Sequence, residues 1–333
     1  MTLPTPADVH VDAALTNISI AFLQNANNFV ASRVFPIVTS DKQSDRYYTI
    51  ERGDFNRNEA QKRAPGTESA GGGYRVDNTP TFFCDVIAFH QDLPWQTLSN
   101  ADMALNLERG AADFVAHKML IYKEVDWNTK YMQSSVWATD LAGVAATPGA
   151  GQTIHWSDPT SDPIGDMRNA ISTMEESTGY TPNTFTMGKR VFDALEDHPD
   201  IVDRIKYSGM TGAGGNPARV NENTLAQLFG LERVLVSRAI RNTADEGQAS
   251  AHEFIAGKNA LLSYSPPSPG LLTPSAGYTF TWNGYMGAGN DFGFATSRFP
   301  IRAIKSDRVE GEMAFDQKLV AADLGYFFSD IIA

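Results

Sequence analysis

From Leu107 to Met132, Leu107, Ala111, Phe114, Ile121, Val125 and Met132 fall three, four or seven positions apart, with Val115, Met119 and Tyr122 widening the stripe. That spacing predicts one long amphipathic helix of roughly 40 Å, against a usual mean of about three turns. Asp12 to Val30 carries a shorter stripe of mostly helical spacing, ended by Pro36 and an extended Ile37-Val38. A second helix is predicted over Pro163–Thr178, with Asp162 and Pro163 as its opening pair and Gly179 placed to stop it. Thr184–Met187 then reads as a strand, Lys189–Asp197 and Pro199–Lys206 as two helices split at His198-Pro199, and Val234–Val236 as a strand. Asn221 or Asn223 caps a helix to Phe229. This alternation describes an α/β lobe over about 160–265. Beyond it the chain turns to β pattern, with Tyr278–Trp282 alternating and Leu319–Ile332 extended and aromatic.

One stretch obeys none of these rhythms. Tyr47–Ile50 and Phe82–Phe89 are aromatic, strand-like runs, and between them lies a long middle almost without apolar residues. It carries Arg52, Asp54, Arg57, Glu59, Lys62, Arg63 and Glu68, then Gly71-Gly72-Gly73. A connection beyond roughly 12–15 residues is usually functional or disordered. The strand-like flanks predict a hairpin arm, and its seven charged residues are candidate contacts to another subunit, where charges set register and partner choice. The plain alternative is a solvated loop, since isolated surface ion pairs contribute about 0–1 kcal/mol. Gly143–Gly151 reads as a small-residue linker between lobes, and Gly209–Asn216 as a glycine-rich surface loop.

Composition narrows the function classes. The 333 residues are 42% hydrophobic and 20% charged, which fits a globular chain. With 27 basic against 39 acidic residues the net charge is −12, a poor balance for gripping DNA through its phosphates. If such a chain lives near nucleic acid, it is expected to enclose it rather than bind it. The single cysteine, Cys84, rules out an intramolecular disulfide and argues against a cysteine zinc site. No run approaches the ~20 apolar residues of a membrane span.

Candidate chemistry is thin. Gly209–Gly215 lacks the Lys-Ser/Thr of a phosphate-binding loop. His10, His90, His117, His155, His198 and His252 show no metal-ligand spacing, so neither a metal nor a cofactor is expected. Cys84 and His90 share a strand face about 20 Å apart, too far for a nucleophile and its base. No catalytic residue is assigned, and the chain is expected not to be an enzyme.

The order of parts resembles the major capsid proteins of tailed bacteriophages, the Hong Kong 97-type fold. The motifs that carry the resemblance are FVASRVFPIV, DKQSDRYYTIERGDF, RAPGTESAGGGYRVDNTPTFFCDVIAFHQDL and TFTMGKRVFDALEDHPDIVDRIKY, within a likeness covering about 15–333. It implies an α+β fold divided into an N-terminal arm at 1–40, an E-loop with supporting strands at 41–94, and a P-domain with its spine helix at 95–159. An A-domain at 160–274 and its end with the return to the P-domain at 275–333 complete the division. It further implies hexamers and pentamers of this one chain in an icosahedral shell around double-stranded DNA, in the virion, assembled in the host cytoplasm. DNA is enclosed without sequence-specific binding, and no membrane takes part. Separate scaffolding, portal and decoration proteins are the partners the resemblance allows; scaffolding, where needed, is expected from a separate protein, because the arm begins almost at Met1 with no room for a cleaved scaffolding segment. Lys62 is the one lysine at the loop tip that the family's covalent cross-link would use, with no partner asparagine identified. The rival readings are an encapsulin-like nanocompartment shell and, further off, an unrecognised enzyme or a tail component.

Overall fold

The computed structural model describes residues 24–50, 52–101, 106–207, 220–270, 273–286 and 294–333. Its first sheet is organised by the strand Ser306–Leu319. Asp85–Pro94 pairs antiparallel along one side of it. Phe294–Ile301 and then Gly277–Trp282 pair antiparallel along the other, and Ile37–Ser40 adds a parallel strand outside Gly277–Trp282. Val309, Met313 and Phe315 alternate onto the buried face, as period-two side chains must. The helix Leu107–Tyr131 lays Ala111, Val115 and Met119 on that face. The approach is close at Gly311, where an added Cβ would stand 2.5 Å from Val115 Cγ1.

The second sheet runs in the order Arg233–Ser237, Thr184–Gly188, Ala260–Ser263, Gly325–Ser329, Thr139–Val144, Gln152–Ile154. The helices Pro163–Thr178, Lys189–Glu196 and Glu222–Phe229 cover one face, enclosing Met167, Phe185, Leu195, Leu225 and Phe328. The helix starts follow the sequence signals. Asp162 Oδ1 accepts from Gly165 N at 2.8 Å, Gly179 closes the helix with φ 75°, and Asn221, of the two asparagines considered, forms the cap with Thr224. The other face packs on Val30, Val34, Phe35, Trp127 and Tyr131. The long helix therefore rests on the first sheet with its N-terminal half and on the second with its C-terminal half.

Three sequence expectations need correction. The buried seam of the long helix is Ala111, Val115, Met119, Lys123, Glu124, Trp127 and Tyr131, whereas Phe114 is 39% exposed. The helix touches two sheets, so its buried face is set by what it lies on and not by apolar spacing alone. The stretch 143–151 is no boundary between lobes, because its flanks Ala142–Val144 and Gln152–Ile154 pair with each other inside the second sheet. Finally, the end of the expected Asp12–Val30 helix is a short 3-10 turn, Ala26–Asn28, and regular helix comes only at Ala31–Val34. The first part of that helix, 12–23, and the Gly209–Asn216 loop lie outside the described residues.

Glu124 fixes this N-terminal segment. Its Oε2 accepts from Val30 N and Ala31 N, both at 2.9 Å, and its Oε1 accepts from Ser237 Oγ at 3.0 Å. These bonds offset part of the cost of burying a carboxylate, yet burial still pushes its pKa up.

Candidate functional site

The segment 41–84 rises from the first sheet as an arm, and Asp85–Pro94 returns the chain into that sheet. Ser44–Arg46 pairs antiparallel with Thr81–Phe83, and Thr49–Ile50 with Val76–Asp77. The root is tied by Cys84 N donating to Gln43 O at 2.8 Å and Gln43 Nε2 donating to Cys84 O at 3.1 Å. Every residue from 56 to 79 is exposed.

The charged residues expected to meet another subunit are all on this arm, but most also have contacts within the chain. Arg52 pairs with Asp323 at 3.0 Å. Asp54 accepts from Arg75 N at 3.1 Å, and Arg57 lies 3.4 Å from Asp54 and 3.2 Å from Glu59. The Arg75 amide, with the Arg75 and Arg57 guanidinium groups, holds the Asp54 carboxyl below the ordinary carboxylate range. Arg63 donates to Thr67 O, closing the turn at the tip. Lys62 and Glu68 stand exposed. Residues 52–75 carry five basic and three acidic side chains, a net +2 on a chain whose total is −12.

In the sequence the aromatic flanks point to an arm and charge to its candidate contacts, but no aromatic is singled out as a contact. Tyr48 is 67% exposed, Phe55 61%, Tyr74 59% and Phe83 51%, and Phe55 and Tyr74 pack on each other just beyond the outer ladder with centroids 5.1 Å apart. The flanking runs read as the strands of a hairpin arm, and alternation alone does not say which of their aromatics the body covers. Large apolar groups gathered on one projecting element mark an interaction surface.

Elsewhere the chemistry is structural. Cys84 is buried, its Sγ donates to Phe280 O at 3.6 Å, and burial pushes its thiol up to about 12, so it is no nucleophile at neutral pH. Ser161 and His198 meet at 3.1 Å beside a cavity of about 270 Å³ lined by Trp156, Asp193 and Asp197. Asp200 N donates to His198 Nδ1, so the ring proton sits on Nε2 and points at Ser161, whose own hydroxyl donates to Asp158 O. The pair lacks a base facing the serine and instead starts the helix after His198. Among the described residues no cluster of His, Cys, Asp or Glu is arranged to hold a metal ion.

No protein-family model matches the chain. Two relatives span nearly all of it. The major capsid protein of Burkholderia phage BcepMu is 24% identical over 334 aligned positions, covering 96% of each chain. The major capsid protein of Pseudomonas phage JBD67 is 26% identical over 328, covering 97% of each. Among solved structures, the capsid structure of cyanophage P-SCSP1u superposes with a TM-score of 0.62 over 97% of this chain and 93% of its own, at 9% identity. The fold is thus the α+β fold of phage capsids, and the relatives are structural proteins rather than enzymes.

Proposed function

We propose that this chain, a tailed-phage major capsid protein of the Hong Kong 97-type fold, assembles with copies of itself into the icosahedral head shell around a double-stranded DNA genome. The observation that carries the reading is the arm, since 56–79 is exposed throughout and the Phe55–Tyr74 pair at the base of that loop stays more than half exposed among the described residues. Residues 41–94 act as the E-loop with its supporting strands, the projecting part laid across a neighbouring subunit, with Arg52, Asp54, Arg57, Glu59, Lys62, Arg63 and Glu68 as the candidate contacts that fix register there. Leu107–Tyr131 acts as the spine helix that carries load between the two sheets. Hexamers and pentamers form in the host cytoplasm with separate scaffolding, portal and decoration proteins. Each arm contact is weak by itself, and the many symmetric copies in a closed shell multiply it.

The acidic balance suits a container, which has no need to neutralise phosphates one by one. Full-length relatives that are phage capsid proteins favour a phage head over an enzyme-packaging compartment. Electron microscopy of the purified chain tests the reading: closed icosahedral particles support it, and a preparation that stays monomeric under all assembly conditions rejects it.

A further inference from the structure

The root of the arm packs on the body around Phe280, while Arg52 farther out pairs with Asp323 and Trp282 Nε1 donates to Asp41 O. Phe280, on the body strand Gly277–Trp282, is held between two rings of the arm, Phe82 at 4.3 Å and Tyr47 at 5.5 Å between centroids. Directly across the ladder from Phe280 stands Asp316. Its Oδ2 accepts from the Phe83 amide at 2.9 Å and lies 3.2 Å from Lys318 Nζ. The stacked rings hold the root laterally, and flat faces slide over one another at little cost. A hydrogen bond is directional and fixes the rotation that the stack leaves open. Because Phe83 ends the arm's inner ladder and Cys84 begins the turn into Asp85–Pro94, a rotation here is amplified along the whole arm.

We propose that Asp316 is the positioning residue of the arm: by holding the Phe83 amide it sets the angle at which 41–84 leaves the body, and so the place where the arm lands on a neighbour and the curvature of the shell. This rests on the reading that the arm bridges copies.

The test uses full-length Asp316→Ala and Asp316→Asn, with two readouts. One is amide exchange at Phe83 in the unassembled subunit; the other is the distribution of particle diameters by electron microscopy. In the alanine variant Phe83 exchange quickens by about fivefold or more, the effect of losing one net hydrogen bond, while amides in the centre of the first sheet keep their protection. Its particles spread in diameter. The asparagine variant offers the same acceptor oxygen and restores both readouts. Unchanged exchange at Phe83, shells of uniform wild-type diameter from the alanine variant, or failure of asparagine to rescue would each overturn the proposal. If the alanine variant does not fold, Asp316→Glu decides, since one added methylene keeps the bond and shifts the mean diameter; an unshifted diameter counts against the proposal. Wild-type chains that build no shell reject the assembly reading instead, and Phe83 exchange alone then decides the role of Asp316.

Discussion

The ring of Phe82 lies on that of Phe280 with centroids 4.3 Å apart and planes 6° from parallel. It joins a projecting arm to a strand almost two hundred residues further along the chain. Phe82 is 5% exposed, so Phe82→Ala removes a buried ring and is expected to cost about 3–5 kcal/mol in urea unfolding of the unassembled subunit. Phe55→Ala, just beyond the outer ladder, stays within about 0.5 kcal/mol of wild type in the same measurement. The two aromatic groups of the arm thus separate into one that holds the subunit together and one reserved for contacts outside it.

The long helix sets a second expectation. A Cβ at Gly311 meets Val115 Cγ1 at 2.5 Å and Phe294 Cε2 at 3.0 Å. Gly311→Ala forces helix and sheet apart and costs about 1–3 kcal/mol. Adding Val115→Ala recovers part of the loss, and a double-mutant cycle by denaturant titration reads the coupling.

Lys123 sets a third. It is 6% exposed, with its ammonium 5.2 Å from the centroid of the Phe315 ring, and burial lowers its pKa to about 8 against a partial counter-effect from Glu124. The unfolded chain keeps its lysine proton up to about pH 10.4, so between pH 8 and 10 it binds more protons than the folded one, and stability rises with pH across that window. Lys123→Met is expected to abolish the rise and to stabilise the subunit at pH 7 by about 1–2 kcal/mol. Thermal unfolding at pH 7 and pH 9.5 checks both parts.

A fourth concerns accessibility. Arg57, Lys62, Arg63 and Arg75 are exposed in the isolated subunit. Trypsin is expected to cut first between 57 and 75, leaving both sheets intact, and assembled shells should resist the same treatment. Mass spectrometry of the earliest fragments distinguishes the two states; equal cutting in shells argues against a covered arm.

Much of the architecture was legible where local chemistry dominates. Asp162 and Gly179 bracket their helix as their side-chain and backbone preferences dictate, and the arm announced itself by having too little apolar content to bury. What local pattern does not contain is the partner. Lys123 and Glu124 carry no apolar signal, and are buried because the long helix is flanked by two sheets and by the Val30–Ala31 amides. Phe82 and Tyr48 belong to equally aromatic runs, but only Phe82 has Phe280 to lie on. The bond from Phe83 to Asp316 spans 233 positions of sequence and had no local signal at all.

The central claim is that the arm joins subunits and is dispensable for folding. Its most direct test replaces residues 51–73 by a short glycine linker and follows both the chain's thermal unfolding and its assembly in the electron microscope. The expected result is a cooperatively folded subunit of near wild-type stability that forms no closed shells where the full chain does. Normal shells from the shortened chain would contradict the account.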